Sequence, residues 1–436
     1  MFSRRDLLKM AGLSAGAAIG TRLAGPSWIR NAAAANEKSA VVVVFCQGGY
    51  NQMFSSADSC VGRFGVTDAE VETIGNGLAI HKPTFGTLPA FTKQHMAAIG
   101  AQVPTGVSAD PHGLANAMQH LDPNGVPWAT RLAAAIGGDA ALKAVHLAVD
   151  GNDFDVGNRP AVNGVSMQGV FDMGSILAQV PQIGVTPPPD PNKPDRAIHA
   201  AANKRVLSMS QRQLDANPTR LLTLREGYNT AQGLLERVPK AVDFNGIAGA
   251  YGINGSSSLV PYRAGSTLSA LNAKFAAAEV LVRTGTNVVS MHLGEDPVNG
   301  FNYTFDSHAI GGTKGVHERH LMGLILPGLR TFTSRMLEDP DYNVVVLFIG
   351  DFARTNGQTD SGDETQNGHG KVISATVMGR YVKTGTTGKT YDAGYQDERL
   401  ASGQPNANIN ELWSYVAAVA KVPTNPFGAN PHNLVL

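Results

Sequence analysis

The chain sets short, wholly apolar runs between longer stretches with helical spacing. Residues 40–46 read A-V-V-V-V-F-C. A continuous β-branched run of that length predicts a strand buried on both faces, the habit of a parallel sheet. The same reasoning places strands at 96–102, 143–149, 287–293, 342–349 and 372–378. Helical periodicity falls between them, at 113–121, 266–284, 316–337 and 410–420. Strands separated by helices predict an α/β fold with a mostly parallel central sheet.

One long region breaks this rhythm. Residues 180–194 are proline-rich and read as a surface excursion, and 197–239 form a mixed polar helical stretch. Together, residues from about 150 to 265 are expected to be an insertion or cap between the halves of the sheet. No internal repeat is found.

The N-terminus carries a different pattern. Ser3-Arg4-Arg5-Asp6-Leu7-Leu8-Lys9 opens a modestly apolar run over 7–24, followed by Pro26 and the small-residue block 32–35. Twin arginines, a weak apolar region and an A-x-A-like site make a twin-arginine signal, with cleavage expected after Ala35. Residues 1–35 are read as that signal and 36–436 as the exported body, periplasmic or secreted in a bacterium. No later run reaches the roughly 18 apolar residues that a membrane-spanning helix needs. The mature chain is therefore expected to be soluble.

Composition narrows the partners. Of 436 residues, 35 are basic and 35 acidic, so no global field favours nucleic acid or anionic lipid. Cys46 and Cys60 are the two cysteines, which excludes a cysteine-only metal site. Export would permit a disulfide between them, and a buried thiol at Cys46 is the alternative.

In open α/β sheets the ligand lies beyond the carboxyl ends of the strands. Gly48-Gly49-Tyr50-Asn51 follows the first predicted strand, and Asp110-Pro111-His112 follows the second. His292 closes the fourth, with Glu295, Asp296, Asp306 and His308 after it. Asp351 and Arg354 follow the fifth, and His369 precedes the sixth. Oxygen and imidazole donors thus gather at one predicted edge from distant segments, as sites for zinc, manganese and related ions require. Two such ions would activate water and clamp an in-line displacement at phosphorus or sulfur. The competing reading makes each strand-end Asp an Asx-turn or helix cap and Arg354 an ion-pair partner of Asp351. His317-Glu318-Arg319-His320 does not match H-E-x-x-H and reads as a solvated helix start. His81, His95, His120, His146 and His199 join no constellation at this level.

Five features occur in order: the signal, V-V-V-V-F-C-Q-G-G-Y-N, F-D-S-H at 305–308, L-F-I-G-D-F-A-R-T-N at 347–356, and G-H-G with V-M-G over 368–379. With them the chain resembles the bacterial domain of unknown function 1501 family, exported proteins distantly related to alkaline phosphatases and sulfatases. The resemblance runs to about residue 385 and is dense in those blocks only. It implies a three-layer α/β/α sandwich. It matches Asp306 and His308 to the family's D-T-H pair, Asp351 to its glutamate, and His369 to its D-H-G histidine, with Arg354 and Thr355 unchanged in type. Asn51 stands where the family has Asp, and Gly368 replaces the Asp before the histidine. Pro111-His112-Gly113 replaces S-H-F, which removes a hydroxyl nucleophile.

Two functions follow. In the first, the chain hydrolyses small anionic phosphate or sulfate esters with one or more divalent ions (Zn, Mn or Ca). Asp306, His308, Asp351 and His369 would be ligands, Asn51 a weaker one, Arg354 the anion clamp, and His112 an assisting group. In the second, the sandwich is a non-catalytic scaffold that binds a ligand or an exported partner protein.

Overall fold

The computed structural model describes residues 37–46, 48–62, 65–102, 120–138, 140, 142–147, 159–170, 242–253, 268–293, 297–298, 301–302, 305, 316–353, 370, 372–388, 406–431 and 434–435. The signal, residues 180–239 and the predicted helix at 113–121 except for its last two residues lie outside them. Strands and α-helices are numbered in chain order.

The elements run β1 (Lys38–Cys46), β2 (Val71–Ile74), β3 (Leu78–His81), α1 (Ala90–Gln94), β4 (Met96–Gln102), α2 (Trp128–Ile136), β5 (Ala144–Leu147) and β6 (Met167–Val170). Then follow α3 (Phe244–Ala250), α4 (Leu268–Arg283), β7 (Val288–Leu293), β8 (Pro297–Val298), β9 (Phe301–Asn302), α5 (Val316–Met336), β10 (Tyr342–Gly350), β11 (Val372–Gly379), β12 (Gly385–Thr387) and α6 (Ile409–Val419).

Eight strands make one sheet in the order β12-β4-β11-β10-β1-β7-β5-β6. The expected apolar runs form its centre, and β1 is parallel to both β10 and β7. The sheet is mixed: β11 runs antiparallel to β10 and to β4. Residues 167–170, inside the stretch read as an insertion, are the edge strand β6, parallel to β5. The fold class expected from the sequence, a mostly parallel α/β sheet between helical layers, is the one observed.

Strand alternation sorts the core into two faces. Val42, Val44 and Cys46 join one apolar cluster with α3, α4 and α5; Val41, Val43 and Phe45 join the other with α2 and α6. Helix, sheet and helix are thus three layers, stabilised mainly by removing these side chains from water. Cys46 and Cys60 are buried thiols, not a disulfide.

The first helical layer holds a buried charge. Glu279 on α4 accepts bonds from Arg335 Nε (2.8 Å) and Nη2 (2.7 Å) on α5, from Arg283 Nε (2.8 Å), and from the Tyr251 hydroxyl (2.9 Å). Burial pushes its carboxyl up, and the two guanidiniums outweigh burial and hold it below the ordinary value. The network ties α4 and α5 to the turn after α3.

Candidate functional site

Parallel strands β1, β7, β5 and β10 all end at the same edge, and buried Asp351, His146 and His292 lie at or near it. Asp351, the first residue past β10, is fully buried. Its Oδ2 accepts from the backbone N–H of Gly48 at 3.2 Å. Gly48 and Gly49 both have positive φ (94° and 114°), which only glycine adopts without strain. The turn they make returns Tyr50 against the end of β10. A Cβ on Gly350 would lie 2.3 Å from the Tyr50 backbone nitrogen, so this approach also requires glycine.

Nearby groups report the environment. Burial, and then the negative charge of Asp351, push the Cys46 thiol well above its ordinary pKa. That thiol stays protonated and is no nucleophile. Tyr50 packs under the turn, its hydroxyl 3.0 Å from Thr376 Oγ1, which donates to Ser55 Oγ at 2.7 Å.

Asn51 is buried, and its Oδ1 accepts from the Met53 N–H at 2.8 Å. It thereby caps the short 3₁₀ turn Gln52–Phe54. The Asx-turn role weighed from the sequence is present here, and it occupies one lone pair of the oxygen proposed as a ligand.

Asp306, His308, Arg354, His369 and His112 lie outside the described residues. Their described neighbours are placed: Phe305 is buried, and Ala353 accepts from the Gly370 N–H at 3.0 Å. Among the described residues, no group of three or more His, Cys, Asp or Glu is placed to hold a metal ion. Of the expected ligands, the described pair Asp351 and Asn51 flank the β1–β10 end. A carboxylate and an amide oxygen are hard donors of the type that zinc, manganese and calcium accept.

The structure adds a cluster that spacing did not reveal. Register sets Phe45 of β1 beside His292 of β7, and His146 of β5 beside Ser290 of β7. His120 arrives from the segment before α2. The His292 ring centroid lies 5.0 Å from that of His120 and 4.9 Å from that of His146. Phe45 packs on His120 at 4.2 Å and on His292 at 5.2 Å. All three imidazoles are buried. Lys274, buried on α4, donates to the His292 carbonyl at 3.0 Å. The available signal was a histidine near the end of each of two otherwise apolar strands, A-V-H-L and V-V-S-M-H-L. Burying an imidazole where an apolar residue would do has a cost, and that cost marks the position.

His320 and Arg319 sit in the first turn of α5 as the sequence suggested; His320 is exposed and Arg319 donates to the Gly65 carbonyl at 2.8 Å. A cleft of about 400 Å³ opens at the opposite, amino end of the sheet, lined by Lys38, Gly137, Gly285, Thr286 and Lys421 among others. It is remote from the strand-end groups.

No protein-family model and no curated protein matches the chain. Solved structures show distant similarity. The lipoteichoic acid synthase LtaP from Listeria monocytogenes superposes with a TM-score of 0.34 at 10% identity, over 91% of this chain and 76% of that one. The PsFucS1 sulfatase from Pseudoalteromonas sp. gives 0.33 at 11% identity, over 91% and 70%. The alkaline phosphatase from the Antarctic bacterium TAB5 gives 0.29 at 13% identity, over 88% and 99%. These similarities concern the arrangement of the fold and transfer no chemistry.

Proposed function

We propose that the chain is an exported, metal-dependent hydrolase of phosphate or sulfate esters, with its site at the carboxyl edge of β1, β7 and β10. The observation that carries this reading is Asp351, a fully buried carboxylate at the end of a central parallel strand, facing the glycine turn after β1. A carboxylate at that depth is costly unless cationic or hydrogen-bonding groups compensate it, and a bound divalent ion is one such group. The motif resemblance to the domain of unknown function 1501 family supports the same edge.

Asp351 would share the ion with Asp306, His308 and His369, and Asn51 would offer a weaker carbonyl oxygen. When bound, the ion would polarise the ester and lower the pKa of a water. Arg354 would hold the non-reacting anionic oxygens with its planar fork, and His112 would assist at the leaving group. By the motif resemblance, Pro111 stands where a covalent phospho- or sulfo-enzyme would need a hydroxyl. Direct attack by water therefore fits the residues better.

The capping role of Asn51 favours a second reading, a scaffold that binds a ligand or an exported partner protein without catalysis. Among the described residues no helix is long and apolar enough to cross a membrane.

Elemental analysis of the protein purified from its exported compartment, beside Asp306→Ala/His369→Ala, tests the proposal. Bound zinc, manganese or calcium that the double variant loses, with hydrolysis of model phosphate or sulfate esters, is the expected result. Metal content unchanged by the double variant and no ester turnover would sink the hydrolase reading and leave the scaffold.

A further inference from the structure

We propose that Tyr50, Thr376 and Ser55 are positioning residues for Asp351: their buried hydroxyls pin the glycine turn whose N–H group holds that carboxylate. The inference rests on the reading of Asp351 as part of the hydrolytic site.

The first support is that the turn is weakly held from within. Gly48 and Gly49 both have positive φ, a conformation that glycine enters and leaves freely. The bond that closes the turn, from the Gly49 N–H to the Cys46 carbonyl, is 3.4 Å long, beyond the usual range for such a bond. Tyr50 is the first residue after the two glycines to carry a side chain. Its hydroxyl reaches Thr376 of β11 at 3.0 Å. The turn after β1 is thereby tied to a strand two places away in the sheet, across the end of β10, where Gly350 leaves room for Tyr50.

The second support is that packing does not call for the hydroxyls. The Tyr50 ring packs on Phe54 at 5.7 Å and on Phe348 at 5.9 Å, so a phenylalanine would fill the same space. Thr376 lies between Phe348 of β10 and Ala98 of β4, both apolar. Tyr50, Ser55 and Thr376 are all fully buried. The Thr376 hydroxyl donates its single proton to Ser55, so it accepts from Tyr50. Burial pushes the Tyr50 hydroxyl well above its ordinary pKa, so it is a fixed donor and takes no part in proton transfer. A buried polar series whose members satisfy one another selects one arrangement over its near neighbours. Here that arrangement fixes the Gly48 N–H, two residues before Tyr50 and 3.2 Å from Asp351 Oδ2.

The test uses the full chain and measures native-state exchange of the Gly48 amide by NMR, and zinc affinity after stripping with chelator. We expect Tyr50→Phe and Thr376→Val to speed Gly48 exchange by about 10-fold while amides within β10 keep their rates, the mark of local opening rather than lost global stability. Zinc should bind about 10–100-fold more weakly, as it does when a group that supports a ligand is removed. Thr376→Ser, which keeps the hydroxyl, should match the wild type in both. Tyr415→Phe makes the same change at a buried tyrosine of the other apolar cluster and should also leave both unchanged. Circular dichroism checks that each variant is folded, and Ser55→Ala serves if Tyr50→Phe or Thr376→Val does not fold. Equal Gly48 exchange in the wild type and folded Tyr50→Phe would overturn the proposal, as would exchange that rises equally throughout β10. Faster local exchange with unchanged zinc affinity would overturn it too, while leaving the hydrolytic site standing. No zinc uptake by the wild type would remove the hydrolytic reading and this inference with it.

Discussion

Gly350→Ala adds one methyl group at the point where β10 meets the turn after β1. The new Cβ would lie 2.3 Å from the Tyr50 nitrogen, 2.8 Å from the Cys46 carbonyl oxygen and 2.8 Å from the Tyr50 Cβ. Two of these atoms are backbone and cannot swing aside. Relief to an ordinary contact of about 3.5 Å needs a movement of about 1 Å in the turn or the strand end. The strand end is held in a fully buried ladder between β1 and β11, so the glycine turn must give way. That movement stretches the 3.2 Å bond from Gly48 to Asp351 past its useful range. Overpacking costs about 1–3 kcal/mol, and a lost bond to a charged carboxylate adds about 1.5–3. We expect Gly350→Ala to lose about 3–5 kcal/mol, read from the urea midpoint at unchanged m. In an active preparation, ester hydrolysis should fall by about 100-fold, the effect of a 1 Å misplacement. A variant within 1 kcal/mol of the wild type would refute the reasoning, because the turn would then not be anchored at Asp351.

Three further outcomes rest on other parts of the fold. Gly323 is exposed on α5 with open space around it, so Gly323→Ala should stabilise by about 1 kcal/mol. Gly328→Ala on the same helix, where the Cβ would lie 2.7 Å from Phe275 Cδ2 and 3.2 Å from Asn272 Cα, should destabilise by about 1–3 kcal/mol; equal signs in urea titrations would reject this account of how α4 and α5 meet. Glu279→Gln leaves two arginines facing a neutral amide and should cost about 3 kcal/mol, the low end for breaking a buried ion pair because both guanidiniums are partly exposed; a loss under 0.5 would show that the network adds little. Burial, and then the charge of Arg319, lower the His81 pKa from 6.5 to about 4 despite the opposing charge of Glu70. The unfolded chain therefore binds the extra proton first, and the contribution of His81 is complete above pH 6.5 and lost as pH falls towards 4. In that window the wild type should lose about 1.4 kcal/mol per pH unit more than His81→Gln, and parallel pH profiles would contradict it.

The central strands were legible because a strand buried on both faces must be apolar at every position. The 96–102 strand was placed to the residue, and β1 and β10 were placed to within two residues at either end. Direction was not legible. V-I-S-A-T-V-M-G reads the same whether β11 runs with or against β10, and the pairing decides it. Gly385–Thr387 has no apolar signal and becomes β12 only by lying beside β4. The β2–β3 hairpin did carry a signal, the turn dipeptide Asn76-Gly77 after Gly75, with positive φ at Asn76 and Gly77. Asp351 stands at a strand end as its position after the 342–349 run required. The histidine cluster joins residues 120, 146 and 292, and no local pattern records which strands become neighbours.

Glu279 and the buried polar groups near the strand ends differ in what explains them. Glu279 lies among helices and is compensated by Arg283 and Arg335, so its burial is accounted for by the framework alone. Asp351, His146 and His292 lie instead near or just past the carboxyl ends of parallel strands that are mostly apolar. The stability of the sheet does not call for them: a buried amide or hydroxyl gains little over an apolar group of the same shape even when satisfied, and a carboxylate gains less. Nor does the packing of the sheet, since Val288 and Val43, the neighbours of Ser290 along and across the strands on the same face, are apolar. Their shared feature is the carboxyl edge. Costly side chains at the edge where α/β sheets bind ligands are what supports the proposed placement of the chemistry there.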